Sequence, residues 1–324
     1  MADFIRTQFA IRQSANPVYC IMIKIPPYLK RGDTVGIVCP SGYMPYEKAE
    51  ACINALQQWG YKVVIGKTLG NQFHYFAGTD KERLHDLQSM LDDKNIKAIL
   101  CGRGGYGMSR IIDQINFKAF TKNPKWLIGF SDITVLHSHV YRQLNTASLH
   151  APMANAFNDG EAENEFIRSL KKALKGGTAN YFCEPHPLNI EGKATGEMVG
   201  GNLSILAHLV GSASSVHTKN KILFLEDVGE YIYNIDRMMM QLKRSGMLKQ
   251  LAGLIIGGFT EIKDTAIPFG ADVLSVIHSH AKELNCPVCF DFPVSHEKNN
   301  YALKVGVKYV LNVSKKKVDL KEVK

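Results

Sequence analysis

The sequence predicts an α/β protein in two unequal halves, and three observations carry that reading. From residue 33 to residue 145, short apolar runs suited to buried strands alternate with amphipathic stretches of helical period, the pattern of a parallel sheet covered by helices on both faces. Residues 158–189 then turn polar and gain Gly176-Gly177, Pro185 and Pro187, as expected of a crossing between domains. Beyond Gly192 the alternation loosens into a smaller, strand-rich mixed domain.

The elements follow in order. Asp33-Thr34-Val35-Gly36-Ile37-Val38-Cys39 reads as the first strand, stopped by Pro40-Ser41-Gly42. A helix over 46–59 ends at Gly60, a residue suited to a C-cap. Residues 61–65 form the second strand and 80–92 the second helix. Lys97-Ala98-Ile99-Leu100-Cys101 is the third strand and opens into Gly102-Arg103-Gly104-Gly105-Tyr106-Gly107 and a short helix. Trp126, Leu127, Ile128 and Phe130 make a strand buried on both faces, and after Ser131 the positions Val135, Leu136, Val140, Tyr141 and Leu144 recur at helical spacing. The second half offers a polar helix over 161–174, helices over 203–210, 235–245 and 271–284, and strands at 222–225, 254–259, 288–292, around Val305 and at 309–313. The expected division is therefore 1–165, a linker over 166–189, and 190–324, with residues 1–24 as a poorly ordered extension.

Composition narrows the class of function. A hydrophobic share of 45% and a charged share of 21% are those of an ordinary folded protein. The net charge of +9 is spread along the chain, and its one dense run, Lys315-Lys316-Lys317, reads as a solvated tail, so no nucleic-acid partner is expected. Seven cysteines, an odd number, suit free thiols in a reducing compartment. The Cys286-x-x-Cys289 spacing lies in what looks like a strand entering a core, where cysteine acts as a small hydrophobe. No apolar run approaches the roughly 20 residues that span a bilayer, and no secretory leader is evident, so a cytoplasmic protein without membrane contact is expected.

The chemistry centres on Ser131, at the carboxyl edge of a strand where open α/β sheets place ligands. It could serve as an N-cap, although Thr134 stands where a capping box needs Glu or Gln. It could equally be a nucleophile, which needs a base and a carboxylate to orient that base. His296, at a strand end after Phe292-Pro293-Val294-Ser295, stands out among eleven histidines; His137, His139, His278 and His280 lie within helices. Glu226, Asp227 and Glu230 compete for the carboxylate, and pairing with Arg237 is the structural alternative. Gly102, Gly104 and Gly107 satisfy Gly-x-Gly-x-x-Gly, which admits a nucleotide with Asp132 as the ribose acid, or an oxyanion site built from backbone N–H groups.

Four separated stretches resemble the LD-carboxypeptidase family of serine peptidases: Arg103-Gly104-Gly105-Tyr106-Gly107, Gly129-Phe130-Ser131-Asp132-Ile133-Thr134, Leu225-Glu226-Asp227-Val228-Gly229-Glu230 and the loop around His296. The segments 33–42, 200–203 and 235–237 are similar too, and all fall in the family's order. The resemblance implies a Rossmann-like amino-terminal domain with a smaller β-rich partner. It implies Ser131 as nucleophile, His296 as general base and acid, Glu226 as the carboxylate holding it, and the backbone N–H groups of Gly105 and Asp132 as an oxyanion hole. Its activity would be removal of D-alanine from an L-centre of a murein tetrapeptide in cell-wall recycling, with no cofactor or metal and a homodimeric assembly.

Arg103 is a candidate partner for the substrate's terminal carboxylate. Immunity peptidases acting on microcin C-type peptidyl-nucleotides form a sister branch, marked by an aromatic-bearing insertion that the tryptophan-free crossing here lacks. The sequence departs from the family at Ser295, at Lys304 where proline is common, and at Ala151 within His150-Ala151-Pro152.

Overall fold

Residues 22–158 and 164–323 are described in the computed structural model, so most of the extension anticipated over 1–24 and the start of the helix anticipated at 161 lie outside the described residues. Strands β1 (Thr34–Val38), β2 (Lys62–Ile65), β3 (Ile96–Cys101), β4 (Trp126–Gly129) and β5 (Ser148–His150) come first. They are followed by β6 (Asn180–Cys183), β7 (Gly192–Asn202), β8 (Ile222–Val228), β9 (Gly253–Thr260), β10 (Val288–Cys289), β11 (Leu303–Val305), β12 (Lys308–Val313) and β13 (Val318–Glu322).

The first sheet has the order β11-β5-β4-β3-β1-β2 and is parallel except where β11 closes it. Its apolar runs are continuous because both faces are covered: all four residues of β4 are buried. The strand order reverses direction at β1 and β3, so the loops after β1, β3 and β4 open together at the carboxyl edge, the ligand-binding position of such sheets. The second sheet, β10-β9-β8-β7-β12-β13-β6, is parallel from β10 to β7 and antiparallel from β7 to β6.

Helix boundaries follow local chemistry. Thr79 caps the helix Asp80–Asp92 in a reciprocal capping box with Glu82, which explains the sharp start at residue 80. From that helix the buried Arg83 donates to the carbonyls of Pro40 at 2.5 Å, Gly107 at 3.0 Å and Gly78 at 3.3 Å, binding the loops after β1 and β3 together.

Several expectations need correcting. Lys315-Lys316-Lys317 is no tail: it lies in the turn of the β12–β13 hairpin, and β13 begins with buried Val318. His280, which the sequence placed within a helix, is buried with its Nε2 2.8 Å from Asp236 Oδ1. The helix expected over 161–174 is present as Glu165–Leu174, and strand β6, which was not expected, follows it. β7 escaped notice because Gly-Lys-Ala-Thr-Gly-Glu-Met-Val-Gly-Gly-Asn has no apolar run, yet Gly200 must stay small: a Cβ there would lie 2.0 Å from the Phe224 carbonyl oxygen.

Lys304 acquires a role through β11, which carries it into the interior. Its Nζ donates to Glu322 Oε1 at 2.8 Å and to the Gly177 carbonyl at 3.2 Å, and lies 4.9 Å from the Tyr28 ring centroid. Lys304→Ala should destabilise the protein by about 3–5 kcal/mol in urea unfolding, because Glu322 would stay buried without its partner. Joint replacement by Met and Leu should recover most of that loss.

Candidate active site

Ser131 sits directly beyond the buried β4, in a 3₁₀ turn, Ser131–Ile133, that leads into the helix Thr134–Leu144. Its φ of +63° puts a non-glycine residue in the left-handed region, a conformation worth roughly 1–3 kcal/mol of strain and concentrated at functional turns. The helix's N-cap position is Ile133, with no side-chain cap, so the capping account of Ser131 falls. Gly104 lies against the serine: a Cβ there would come within 2.8 Å of Ser131 Cβ and 3.0 Å of its Oγ. Gly104→Ala should therefore lower kcat by about 10²-fold or more through displacement of the serine or the loop, measurable by steady-state kinetics with thermal unfolding as the control for folding.

Asp132 turns its carboxylate inward, accepting from Ser41 Oγ at 2.5 Å and from the Met108 N–H at 2.8 Å. Burial pushes this acid up from the usual carboxylate range, against the opposing pull of those two bonds. The side chain thus ties the loops after β1, β3 and β4 together and is not presented to a ribose, which removes the acid a dinucleotide reading needs. Gly105, with φ +99°, carries the loop past Tyr75, whose hydroxyl would lie 2.8 Å from an added Cβ.

The second sheet supplies the opposite wall. Near its carboxyl end β8 carries Glu226, fully buried, whose Oε2 lies 2.6 Å from His296 Nδ1. A carboxylate only accepts, so Nδ1 carries the proton, and Nε2 is left buried without a hydrogen-bond partner among the described residues. The imidazole packs edge-on against Phe130, the residue before Ser131, at 4.9 Å between centroids. Burial alone would lower the histidine's pKa, but the charge and hydrogen bond of Glu226, with Asp227 and Glu261 behind them, leave it raised.

Asp227 faces a different task, accepting from Asn202 Nδ2 at 2.8 Å and from the N–H groups of Ser204 and Val228 at 2.9 Å each. Burial and then the neighbouring Glu226 charge push its carboxyl up to about 7. Arg237 stacks 5.1 Å over Tyr233, and Glu230 accepts from Asn234 Nδ2 at 3.1 Å. Of the three competing acids, Glu226 is the one in contact with His296.

A cleft of about 920 Å³ is lined by Arg103, Gly104, Gly105, Ser131, Asp227 and His296, among others. Arg103 is held by a 2.9 Å bond from Nη1 to the Tyr43 carbonyl. Sequence reasoning missed several supporting groups: Ser41 and Arg83, and the contact of the Asn202 N–H with Thr134 Oγ1 at 3.1 Å, which joins the two sheets three residues beyond the serine. The Gly200-Gly201-Asn202 string was the available signal, since a Cβ on Gly201 would lie 2.5 Å from Thr134 Oγ1. His150 was also missed; it is buried between Phe130 and Phe224, and burial keeps it neutral, its pKa well below the ordinary value. Hydroxyl, imidazole and carboxylate in this arrangement can carry out acyl transfer to serine.

Comparison with known proteins agrees with that chemistry. The chain belongs to the LD-carboxypeptidase family, whose N-terminal domain matches residues 35–151 and whose C-terminal domain matches residues 195–311. It is accordingly a serine-type carboxypeptidase, a peptide hydrolase. A probable murein peptide carboxypeptidase of Bacillus subtilis is 34% identical over 294 residues, covering 90% of this chain and 92% of that one. The crystal structure of a muramoyltetrapeptide carboxypeptidase from Oxalobacter formigenes superposes with a TM-score of 0.81 at 26% identity, covering 90% of this chain and 99% of the other. The microcin C7 self-immunity protein MccF, solved with glutamyl sulfamoyl guanosine, has the same fold: TM-score 0.81, 23% identity, 93% and 99% covered.

Proposed function

We propose that this protein removes the terminal D-alanine from the L-centre of murein tetrapeptides by way of an acyl-enzyme on Ser131. The observation that carries the reading is the Glu226–His296 contact of 2.6 Å in one cleft with a serine held at φ +63°. His296 Nε2 takes the Ser131 proton as Oγ attacks the scissile carbonyl. Glu226 holds the imidazole through Nδ1–H and stabilises the imidazolium that forms. The N–H groups of Gly105 and Asp132 receive the oxyanion, and the imidazolium then protonates the departing amine of D-alanine. Water, deprotonated by His296, releases the tripeptide. Arg103 pairs with the terminal carboxylate, for which a guanidinium has the matching fork.

The substrate is carried over from the relatives named for murein peptides. The likeness to the microcin immunity protein, at 23% identity, supports the fold alone. In this reading the nucleophile belongs to an amino-terminal body (residues 1–165) and its two partners to a carboxyl-terminal one (190–324), in a cytoplasmic homodimer that recycles wall fragments. Among the described residues no helix is long and apolar enough to cross a membrane. The test is incubation with L-Ala-γ-D-Glu-meso-diaminopimelate-D-Ala and chiral detection of free D-alanine, with an all-L tetrapeptide as control. Release from the first and not the second is expected. No release from either, by protein that is folded, would overturn the proposal.

A further inference from the structure

The seven-stranded sheet has β6 and β10 as its two outer strands, so in an open sheet they would be the residues furthest apart. Instead Cys183 on β6 and Cys289 on β10 bring their Sγ atoms to 3.9 Å, across a sequence separation of 106 residues. The sheet curls until its edges meet. The seam is closed by reciprocal bonds between Ile190 and Val288, 2.9 Å and 3.0 Å, and by Asn189 Oδ1 accepting from the Phe290 N–H at 2.7 Å. The sequence marks Cys289 only as part of a strand entering a core; a sulfur contact between sheet edges is visible only in three dimensions.

We propose that Cys183 and Cys289 are a thiol-oxidation site that forms a reversible disulfide across this seam when the protein meets a peroxide. Bond formation needs about 2 Å of approach between the sulfurs, a distance within the reach of side-chain rotation. The two thiols differ in a way that assigns the order of events. Cys183 is partly exposed and open to a peroxide, whereas Cys289 is fully buried behind it. Burial raises the pKa of Cys39, Cys52, Cys101 and Cys286, which disfavours their thiolates.

The Cys183 thiolate attacks one oxygen of hydrogen peroxide, breaking the O–O bond and giving a sulfenic acid and hydroxide, which takes up the thiol's proton as water. Cys289 sulfur then attacks the sulfenic sulfur; the S–O bond breaks, the thiol proton leaves with the hydroxyl as a second water, and the S–S bond forms. Two thiols are oxidised by two electrons and one peroxide is reduced to two waters. Any small thiol reverses the reaction by exchange. Thiol pairs that oxidise transiently are the form in which disulfides occur in reducing compartments. The bond would fix the root of the loop carrying His296, because the chain runs from Cys289 through Phe292, whose N–H donates to the Ile256 carbonyl at 3.1 Å, into that loop.

The test uses the full chain, treated with hydrogen peroxide, alkylated and mapped by mass spectrometry. A Cys183–Cys289 linked peptide is expected, lighter by two hydrogens and lost on treatment with dithiothreitol. The oxidised protein should melt at a higher temperature than the reduced one, since a crosslink across so long a loop restricts the unfolded chain. Cys183→Ser should abolish the linked peptide, and Cys286→Ser should leave it intact, which keeps the test open even where Cys289→Ser fails to fold. Absence of the Cys183–Cys289 peptide in oxidised wild type, a Cys286–Cys289 link in its place, or a melting temperature unchanged or lowered by the bond would each overturn the proposal.

Discussion

Replacement of Ser131 by alanine is expected to reduce D-alanine release from the murein tetrapeptide by about 10⁴-fold or more, with binding of the peptide largely retained. The expectation rests on what the turn is built for. A left-handed φ at a β-carbon-bearing residue is kept only where the surroundings over-determine it, and here the buried β4, the inward Asp132 carboxylate and the close pack of Gly104 all hold Ser131 in place. None of those constraints involves capping, since the following helix begins beyond Ile133. Circular dichroism of the variant should match wild type, and trapping with a serine-reactive phosphonate should label wild type alone. Equal turnover by both proteins would return Ser131 to a structural role.

The second large effect separates the two adjacent acids. Glu226→Gln should lower kcat by about 10³–10⁴-fold, because an amide can present its N–H₂ to Nδ1 and favour the wrong imidazole tautomer. Asp227→Asn should cost about tenfold or less in kcat and show instead as lost stability, since Asp227 anchors Asn202 and the start of the helix Leu203–Leu209. The pH profile gives an independent readout. His296 must be neutral to accept the serine proton, and its pKa is raised, so kcat/KM of wild type should fall as pH drops through a value above the ordinary histidine range. In Glu226→Gln the largest of the contributions that together offset burial is gone, and the acid limb should move to lower pH. An acid limb that stays in place in Glu226→Gln would mean that His296 is not the titrating base.

Much of this was legible in the sequence for a physical reason. Parallel strands buried on both faces must be continuous apolar runs, so β1, β3, β4, β8 and β9 announced themselves, and the helix expected over 80–92 matches Asp80–Asp92 to the residue. Strands whose stability comes from their neighbours did not. β7 is glycine-rich because Phe224 and Thr134 crowd it, and β11, expected around Val305, gave no local sign that it pairs with a strand from the other half of the chain. Lys304 looked like a departure in a loop, whereas it is a buried cation whose partners, Gly177 and Glu322, come from distant segments.

By itself the sequence determined the fold class, the serine at a strand edge and a short field of candidate partners, because strand burial, helix period and turn chemistry are local properties of the chain. The choice of Glu226 over Asp227 rested there on family resemblance, since adjacent acids at a strand end are indistinguishable by pattern. Tertiary structure separated them: where the pairing of β8 with β9 shifts register between Leu225 and Asp227, one carboxylate reaches His296 while the other turns to Asn202 and the helix start. It also brought Cys289 against Cys183, because the meeting of two sheet edges is a property of curvature that no spacing along the chain records.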